Sequence, residues 1–370
     1  MSRGPRKKKE KTIKYFDYTL LFIIIFLVCF GLVMLYSTSS YNAQLKYGDD
    51  AYYLKKQMFA TGLGFAAMFI ISRIDYHVWT HFAGVAYLVA FGLCVLVIFA
   101  GSESHGQSRW LRLGPLSFQP SEFAKIAVII FLAKIISRIP KKMEDFKTVI
   151  IIFASLVPIL GPVAYTNLST AVIIAGIAMA LTFVASPKWK HFIVLILIAA
   201  SGIAVFILTA GYRAGRIKIW LHPEKYDKGY QTLQGLYAIG SGGLFGKGLG
   251  GSMQKLGFVP EAQNDMIFSI ICEELGLFGA VCVILLFLLM IWRFMVIANN
   301  APDLFGALLV VGIMAHIAIQ VILNIAVVTN TVPNTGITLP LISYGGTSAS
   351  FLLAELGLAF SVSRKIRLEG

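Results

Sequence analysis

Apolar runs long enough to cross the roughly 30 Å hydrocarbon core of a bilayer recur along this chain, and they constrain its fold more than any other feature. They lie near residues 16–36, 54–72, 82–100, 120–137, 148–165, 167–185, 191–211, 266–292, 304–327 and 347–363. With 57% of its residues hydrophobic and 14% charged, the chain could not hide these runs inside a water-soluble core. A backbone in lipid must satisfy its own hydrogen bonds. The expected fold class is therefore all-α: a polytopic membrane protein with ten transmembrane helices. The fifth and sixth runs are separated only by Tyr165-Thr166-Asn167. The first run is too long for a signal-peptide core and lacks a small-residue cleavage site, so it stays as a span.

An even number of spans puts both ends on one side, and the charges indicate which. A basic segment, 1–15, carries Arg3, Arg6, Lys7, Lys8, Lys9, Lys11 and Lys14 directly before the first span. That pattern is a cytoplasmic anchor beside anionic lipid, not a nucleic-acid surface, although the net charge is +14. With that end inside, the short inside segments hold Arg73, Arg138, Lys141, Lys142, Lys147, Lys188, Lys190 and Arg293, and the end of the chain adds Arg364, Lys365 and Arg367. The short outside loops hold only Lys46, Lys55, Lys56, Arg109 and Arg112. The reading is one membrane domain, 16–364, with both termini cytoplasmic and a short tail, 365–370. The cysteines (Cys29, Cys94, Cys272, Cys282) all fall in apolar runs, where they serve as small packing residues.

One long stretch is neither span nor short connector: a large extracellular loop, 212–264, between the seventh and eighth spans. It holds Arg213, Arg216, Lys218, Lys225, Lys228, Lys247 and Lys255, then meets the membrane again at Asp265. A cationic loop closing on one carboxylate at a membrane surface suits an anionic, lipid-linked substrate. Asp265 has two readings. It can open the eighth span as a helix cap, favoured by the dipole, or accept a proton from a substrate hydroxyl. The helix N-terminus is expected to keep it ionised. Glu122 and Lys125, three apart at the start of the fourth span, share a face. They form a local ion pair or line a polar cavity.

Gly246-Lys247-Gly248-Leu249-Gly250-Gly251 fits G-x-G-x-x-G formally but lacks the preceding strand and the acidic residue of a dinucleotide site. It reads as a flexible or tightly turned loop, able to offer backbone N–H groups to anions. His316, Gln320 and Asn324 form a polar stripe on the ninth span, suited to interhelical hydrogen bonding. Glu273, Glu274 and Glu355 lie within spans. At least one of them should meet a cavity or a cation.

Several separated motifs carry a family resemblance. They are Arg109-Trp110 through Gly114-Pro115 to Phe118-Gln119-Pro120-Ser121-Glu122 with Lys125, then Tyr212-Arg213 with Arg216, and Gly229-Tyr230-Gln231 through Ser241-Gly242-Gly243 to Gly246 and Gly248. Pro260-Glu261 with Asp265, Glu273-Glu274-Leu275-Gly276, and Asn334-Thr335-Gly336 through Leu339-Pro340 to Ser343-Tyr344-Gly345-Gly346 complete the set. Along nearly its whole length the chain resembles the SEDS (shape, elongation, division and sporulation) peptidoglycan glycosyltransferases of the FtsW, SpoVE and RodA type. Gly336-Ile337-Thr338-Leu339-Pro340 looks like the division and sporulation branch, since the elongation branch more often has Pro where Thr338 stands. Many members carry an Asp where this chain has Asn167.

The resemblance implies polymerisation of lipid II, the undecaprenyl-pyrophosphate-linked disaccharide peptide, on the outer face of a bacterial cytoplasmic membrane. It implies Asp265 as the catalytic residue. Arg213, Arg216, Glu122, Lys125, Arg109, Glu261 and Lys247 are the substrate-binding candidates. It also implies a class B penicillin-binding protein as transpeptidase partner, with other divisome or elongasome membrane proteins. No cofactor is required by the sequence. A divalent cation, Mg or Mn, could share the phosphate chemistry, but no ligand set is legible. The alternatives are a lipid-linked oligosaccharide flippase, which usually shows internal symmetry, a non-catalytic division scaffold and, within the family, an elongation polymerase of RodA type.

Overall fold

The structure, a computed structural model, describes residues 13–104, 107–113, 116–197, 215 and 218–368. Arg213 and Arg216 lie outside the described residues. The chain is built from helices α1 (Tyr18–Tyr47), α2 (Tyr52–Arg73), α3 (Val78–Ala100), α4 (Pro120–Arg138), α5 (Phe146–Ala154) and α6 (Val157–Thr166). They are followed by α7 (Leu168–Ala185), α8 (Tyr230–Ser241), α9 (Ile267–Asn299), α10 (Leu304–Val328) and α11 (Thr347–Ser363). Residues 190–197 are helical too. Five of these helices are long and apolar enough to cross a membrane. The α5–α6 pair, bent by 49°, makes a sixth if taken as one broken span. The bend falls just before Pro158, with Pro162 inside α6; neither can donate a helical hydrogen bond.

Local chemistry sets the helix ends. Asp17 caps α1 by accepting from the Leu20 amide at 2.9 Å, and Gly48, at φ 68°, ends the helix in a left-handed turn. The first apolar run stops near residue 36, yet α1 continues to Tyr47. No breaker intervenes, and Thr38, Ser39 and Ala43 are buried against protein. Asn167 caps α7 through the Thr170 amide at 3.3 Å, a task that needs no charge.

Short strands qualify the all-helical expectation. β2 (Ser102–Ser104), β3 (Gln107–Leu113) and β4 (Leu116–Phe118) form an antiparallel sheet between α3 and α4, with Leu111 opposite Phe118. β1 (Ile13–Lys14) and β5 (Arg367–Leu368) pair antiparallel, tying the two ends of the described chain together.

The bundle centres on α10, whose most apolar window is 67% buried against 28% for α3. α2 and α11 meet through small residues: a Cβ on Gly64 would lie 3.0 Å from Ser350 Cα, and one on Gly357 2.8 Å from the Met68 carbonyl. The face bearing β1 and β5 also carries the Asp17–Arg293 pair (2.7 Å) and a cluster of Asp75, His77, Asp303 and Lys365. The opposite face gathers the N-termini of α4, α7, α9 and α11 around a polar cavity.

Candidate functional site

The cavity has a volume of about 590 Å³, within the size range of small-molecule sites. α4 contributes Glu122 and Lys125, and β3 contributes Arg109. The turn before α8 supplies Lys228, α8 supplies Gln231, and the segment before α9 supplies Glu261, Asn264 and Asp265. Gln320 of α10 and the segment Asn334 to Thr338 complete the lining used below. Four helix N-termini thus point their positive dipole ends toward one polar space.

Pro120 opens α4 at a position where its missing N–H costs nothing. One turn on, the Lys125 ammonium lies 2.9 Å from Glu122 Oε1, and the Lys125 side chain is 2% exposed. Both earlier readings of this pair hold together: the residues form a local ion pair and also line the cavity. Lys125 Nζ further reaches Gln320 Oε1 at 3.4 Å. Arg109 donates from Nε to the Thr166 carbonyl at 3.1 Å, at the negative end of α6. Glu261 sits in a left-handed backbone conformation, φ 53°, and its carboxylate accepts from Asn264 Nδ2.

Asp265 does not cap α9. The cap position falls on Met266, and no side chain caps there. Instead Asp265 Oδ1 accepts from Gln231 Nε2 at 3.3 Å, and Gln231 Oε1 accepts from Asn334 Nδ2 at 3.2 Å. Asn324 Nδ2 holds the Asp265 backbone carbonyl at 2.9 Å and the Ile337 carbonyl at 2.7 Å, joining the two segments that flank the carboxylate. Among the described residues no Lys, Arg or His pairs with Asp265, which is 8% exposed. Burial pushes its carboxyl up to about 7, and the neighbouring Glu261 adds to the rise. The expectation that the helix N-terminus keeps it ionised is corrected accordingly: desolvation by burial is the largest influence on this carboxyl, and it raises the pKa.

Lys247 is not brought to the cavity. Its ammonium pairs with Glu273 Oε1 at 2.7 Å and Ser241 Oγ at 3.0 Å. The glycine-rich loop also commits two of its amides to α9. α9 breaks at Gly276 (φ 68°, ψ −167°), and the groups freed by the break bond to the loop. The Lys247 and Gly248 amides donate to the Glu273 and Glu274 carbonyls, each at 2.9 Å. The Leu277 and Phe278 amides donate to the Gly243 and Leu244 carbonyls at 2.9 and 3.0 Å. A Cβ at Gly246 would come within 2.2 Å of the Glu274 carbonyl. The anion-nest reading of this loop is therefore replaced by a structural one: the loop repairs a broken helix.

The three glutamates within spans all find cationic or histidine partners. Glu274 pairs with Lys255 at 2.8 Å, and Glu355 meets His316 Nδ1 at 2.9 Å. Glu273 is the partner of Lys247. Among the described residues no group of three or more His, Cys, Asp or Glu side chains is placed to hold a metal ion. Lys228, Gln231 and Asn334 also line the cavity: the sequence placed Lys228 in the cationic loop and Gln231 and Asn334 in the family motifs, without an individual role for any of them.

Comparison with known proteins follows this geometry. The family described as cell cycle protein, FtsW/RodA/SpoVE, matches residues 18–368. Stage V sporulation protein E of Bacillus subtilis (strain 168) is 41% identical over 363 residues, covering 95% of this chain and 98% of that protein. A probable peptidoglycan glycosyltransferase FtsW of Geobacter sp. (strain M18) is 35% identical over 365 residues, covering 96% and 99%. Among solved structures, a peptidoglycan synthase complex that coordinates polymerization and crosslinking superposes with a TM-score of 0.80 at 27% identity. That match covers 94% of this chain and 98% of the other.

Proposed function

The chain belongs to the FtsW/RodA/SpoVE family of cell cycle proteins and is a multi-pass membrane peptidoglycan glycosyltransferase; from that premise we propose that it polymerises lipid II at the cavity beside Asp265. The observation that carries the proposal is Asp265 itself, a buried carboxylate in a polar cavity, uncommitted to a helix cap and without a cation partner among the described residues. A carboxyl poised near neutral pH is suited to general-base work.

In this reading Asp265 takes the proton from the acceptor sugar hydroxyl as its oxygen attacks the donor's anomeric carbon. The bond from that carbon to the lipid pyrophosphate breaks, and the pyrophosphate leaves with the electron pair. Lys125 and the converging helix N-termini face the charge that develops there. Arg213, Arg216 and Arg109 are assigned to binding the anionic substrate. The ten-span topology is proposed with the cavity outside. Arg73, Arg138, Lys141, Lys142, Arg293 and Lys365 crowd the opposite face, as expected of a cytoplasmic surface. The tie between β1 and β5 keeps both ends on that face, which requires an even number of crossings. A class B penicillin-binding protein is the proposed partner, supported by the likeness to a peptidoglycan synthase complex. The division or sporulation role is favoured by the relatives named above.

The test is polymerisation of fluorescent lipid II by purified Asp265→Asn protein, with lipid II binding measured alongside. Loss of polymer with retained binding is the expected result. Near wild-type polymer yield would end the proposal and move the base to Glu261.

A further inference from the structure

Behind Lys125 runs a buried polar chain whose hydrogen-bond accounting has only one solution at its centre. Lys125 Nζ, which can only donate, meets Gln320 Oε1 at 3.4 Å. The Thr338 carbonyl, which can only accept, meets Gln320 Nε2 at 3.1 Å. Flipping the amide would break both contacts, so the orientation of Gln320 is determined by its partners. His316 Nε2 stands 2.9 Å from the same Oε1 and must therefore carry a hydrogen. Its other nitrogen, Nδ1, faces both oxygens of Glu355 at 2.9 and 3.0 Å. That contact holds a single shared proton, on the ring or on the acid, and the pair is neutral either way. His316 and Glu355 are each 1% exposed, so no solvent competes.

We propose that the proton-sharing pair His316–Glu355 locks Gln320, and that Gln320 in turn positions the Lys125 ammonium in the cavity opposite Glu122. His316, Glu355 and Gln320 are then positioning residues for glycosyl transfer, not merely links between α10 and α11. The proposal rests on the reading of Lys125 as the cation facing the leaving pyrophosphate. Glu122 alone, at 14% exposure, leaves the ammonium free to swing toward the cavity mouth. Gln320 is the second anchor that prevents it.

The experiment uses the full-length purified protein with fluorescent lipid II, measuring kcat, KM and Tm. An amine-reactive ester reports the accessibility of Lys125 by mass spectrometry. His316→Phe keeps the ring's shape but neither nitrogen, and Gln320→Leu keeps volume but not the acceptor. Each is expected to lower kcat by about 10–100-fold, the scale of a misplaced catalytic group. KM stays near wild type, and Lys125 labelling rises severalfold. Glu355→Gln can donate to Nδ1 and leave Nε2–H in place, so it restores most of what Glu355→Leu loses. Unchanged kcat and labelling in both His316→Phe and Gln320→Leu would overturn the proposal. So would a loss of activity that only follows the loss of folded protein, since packing alone explains that. Wild-type kcat in Lys125→Met would retire the pyrophosphate reading of Lys125. The labelling experiment then decides the positioning claim by itself: unchanged labelling overturns it, and raised labelling supports it.

Discussion

Two sets of carboxylates flank the start of α9, and they are treated in opposite ways. Glu273 and Glu274 are fully buried and saturated: Glu273 takes Lys247, Ser252 and the amides of Met253 and Gln254, and Glu274 takes Lys255 and Ser37. Asp265, two turns earlier and nearly as buried, receives among the described residues one long side-chain bond, from Gln231. A buried carboxylate given a cation and several donors is a structural joint. One left with a single neutral donor keeps its capacity to take a proton. The difference separates scaffold from chemistry within a dozen residues of one another.

The strongest way to test that contrast is to neutralise each carboxylate. Asp265→Asn should lower the polymerisation rate by about 10²–10⁴-fold, the usual cost of losing a general base. It should not lower stability. Because the folded-state pKa of Asp265 is raised, its stabilising protonated form is fully present below about 4 and is lost as pH rises through about 7. At pH 8 the neutral variant should therefore melt at or above wild type, by differential scanning fluorimetry in detergent. A lower Tm for Asp265→Asn would break the comparison.

The partner side should behave in the reverse sense. Lys255→Met leaves Glu274 buried without its cation and is expected to cost about 3–5 kcal/mol, read as a fall in Tm and in folded yield. Any activity lost should follow the folded fraction. Gly246→Ala forces a side chain into a left-handed backbone at φ 76°, which costs about 1–2 kcal/mol before the clash with the Glu274 carbonyl is counted. Its Tm should fall as well, while kcat per folded molecule is kept. The smallest effect expected is on pH dependence. Since the base works ionised and titrates at about 7, kcat should fall about fivefold between pH 7 and pH 6. A flat profile across that range would remove Asp265 from the role of titrating base.

How much of this was legible in the sequence depended on whether the signal was local. The long apolar runs, Pro120 at the first helical position of α4 and the Glu122–Lys125 spacing are all local signals. Among the described residues helices lie over these runs, with the fifth run broken and the seventh described only to residue 197. The location of Asp265 just before the apolar helix α9 was legible for the same reason. Its electrostatic state was not, because burial comes from Gln231, Asn334 and α10, which are remote in sequence. Likewise Glu-Glu-Leu-Gly looks like continuous helix. Only the loop 243–248, arriving from another part of the chain, shows that Gly276 interrupts it and where the Glu273 and Glu274 carbonyls turn. Helix α8 was hidden among glycines, because a short amphipathic segment gains its stability from packing and not from propensity.

The clasp between the two ends of the chain bears on how the molecule is made. Asp17 receives its hydrogen bond from Arg293, and its amide donates to Ser363 Oγ, 346 positions away. Gln57, Ala60 and Gly64 of α2 face partners in or just before α11. During synthesis, α1 and α2 therefore enter the bilayer with their polar and small-residue faces uncovered, and they wait while almost the whole protein is translated. These contacts of α2 form only once α11 has been made. A chain ending before Gly345 would leave Gln57, the Ala60 carbonyl and Gly64 of α2 without their partners in and before α11.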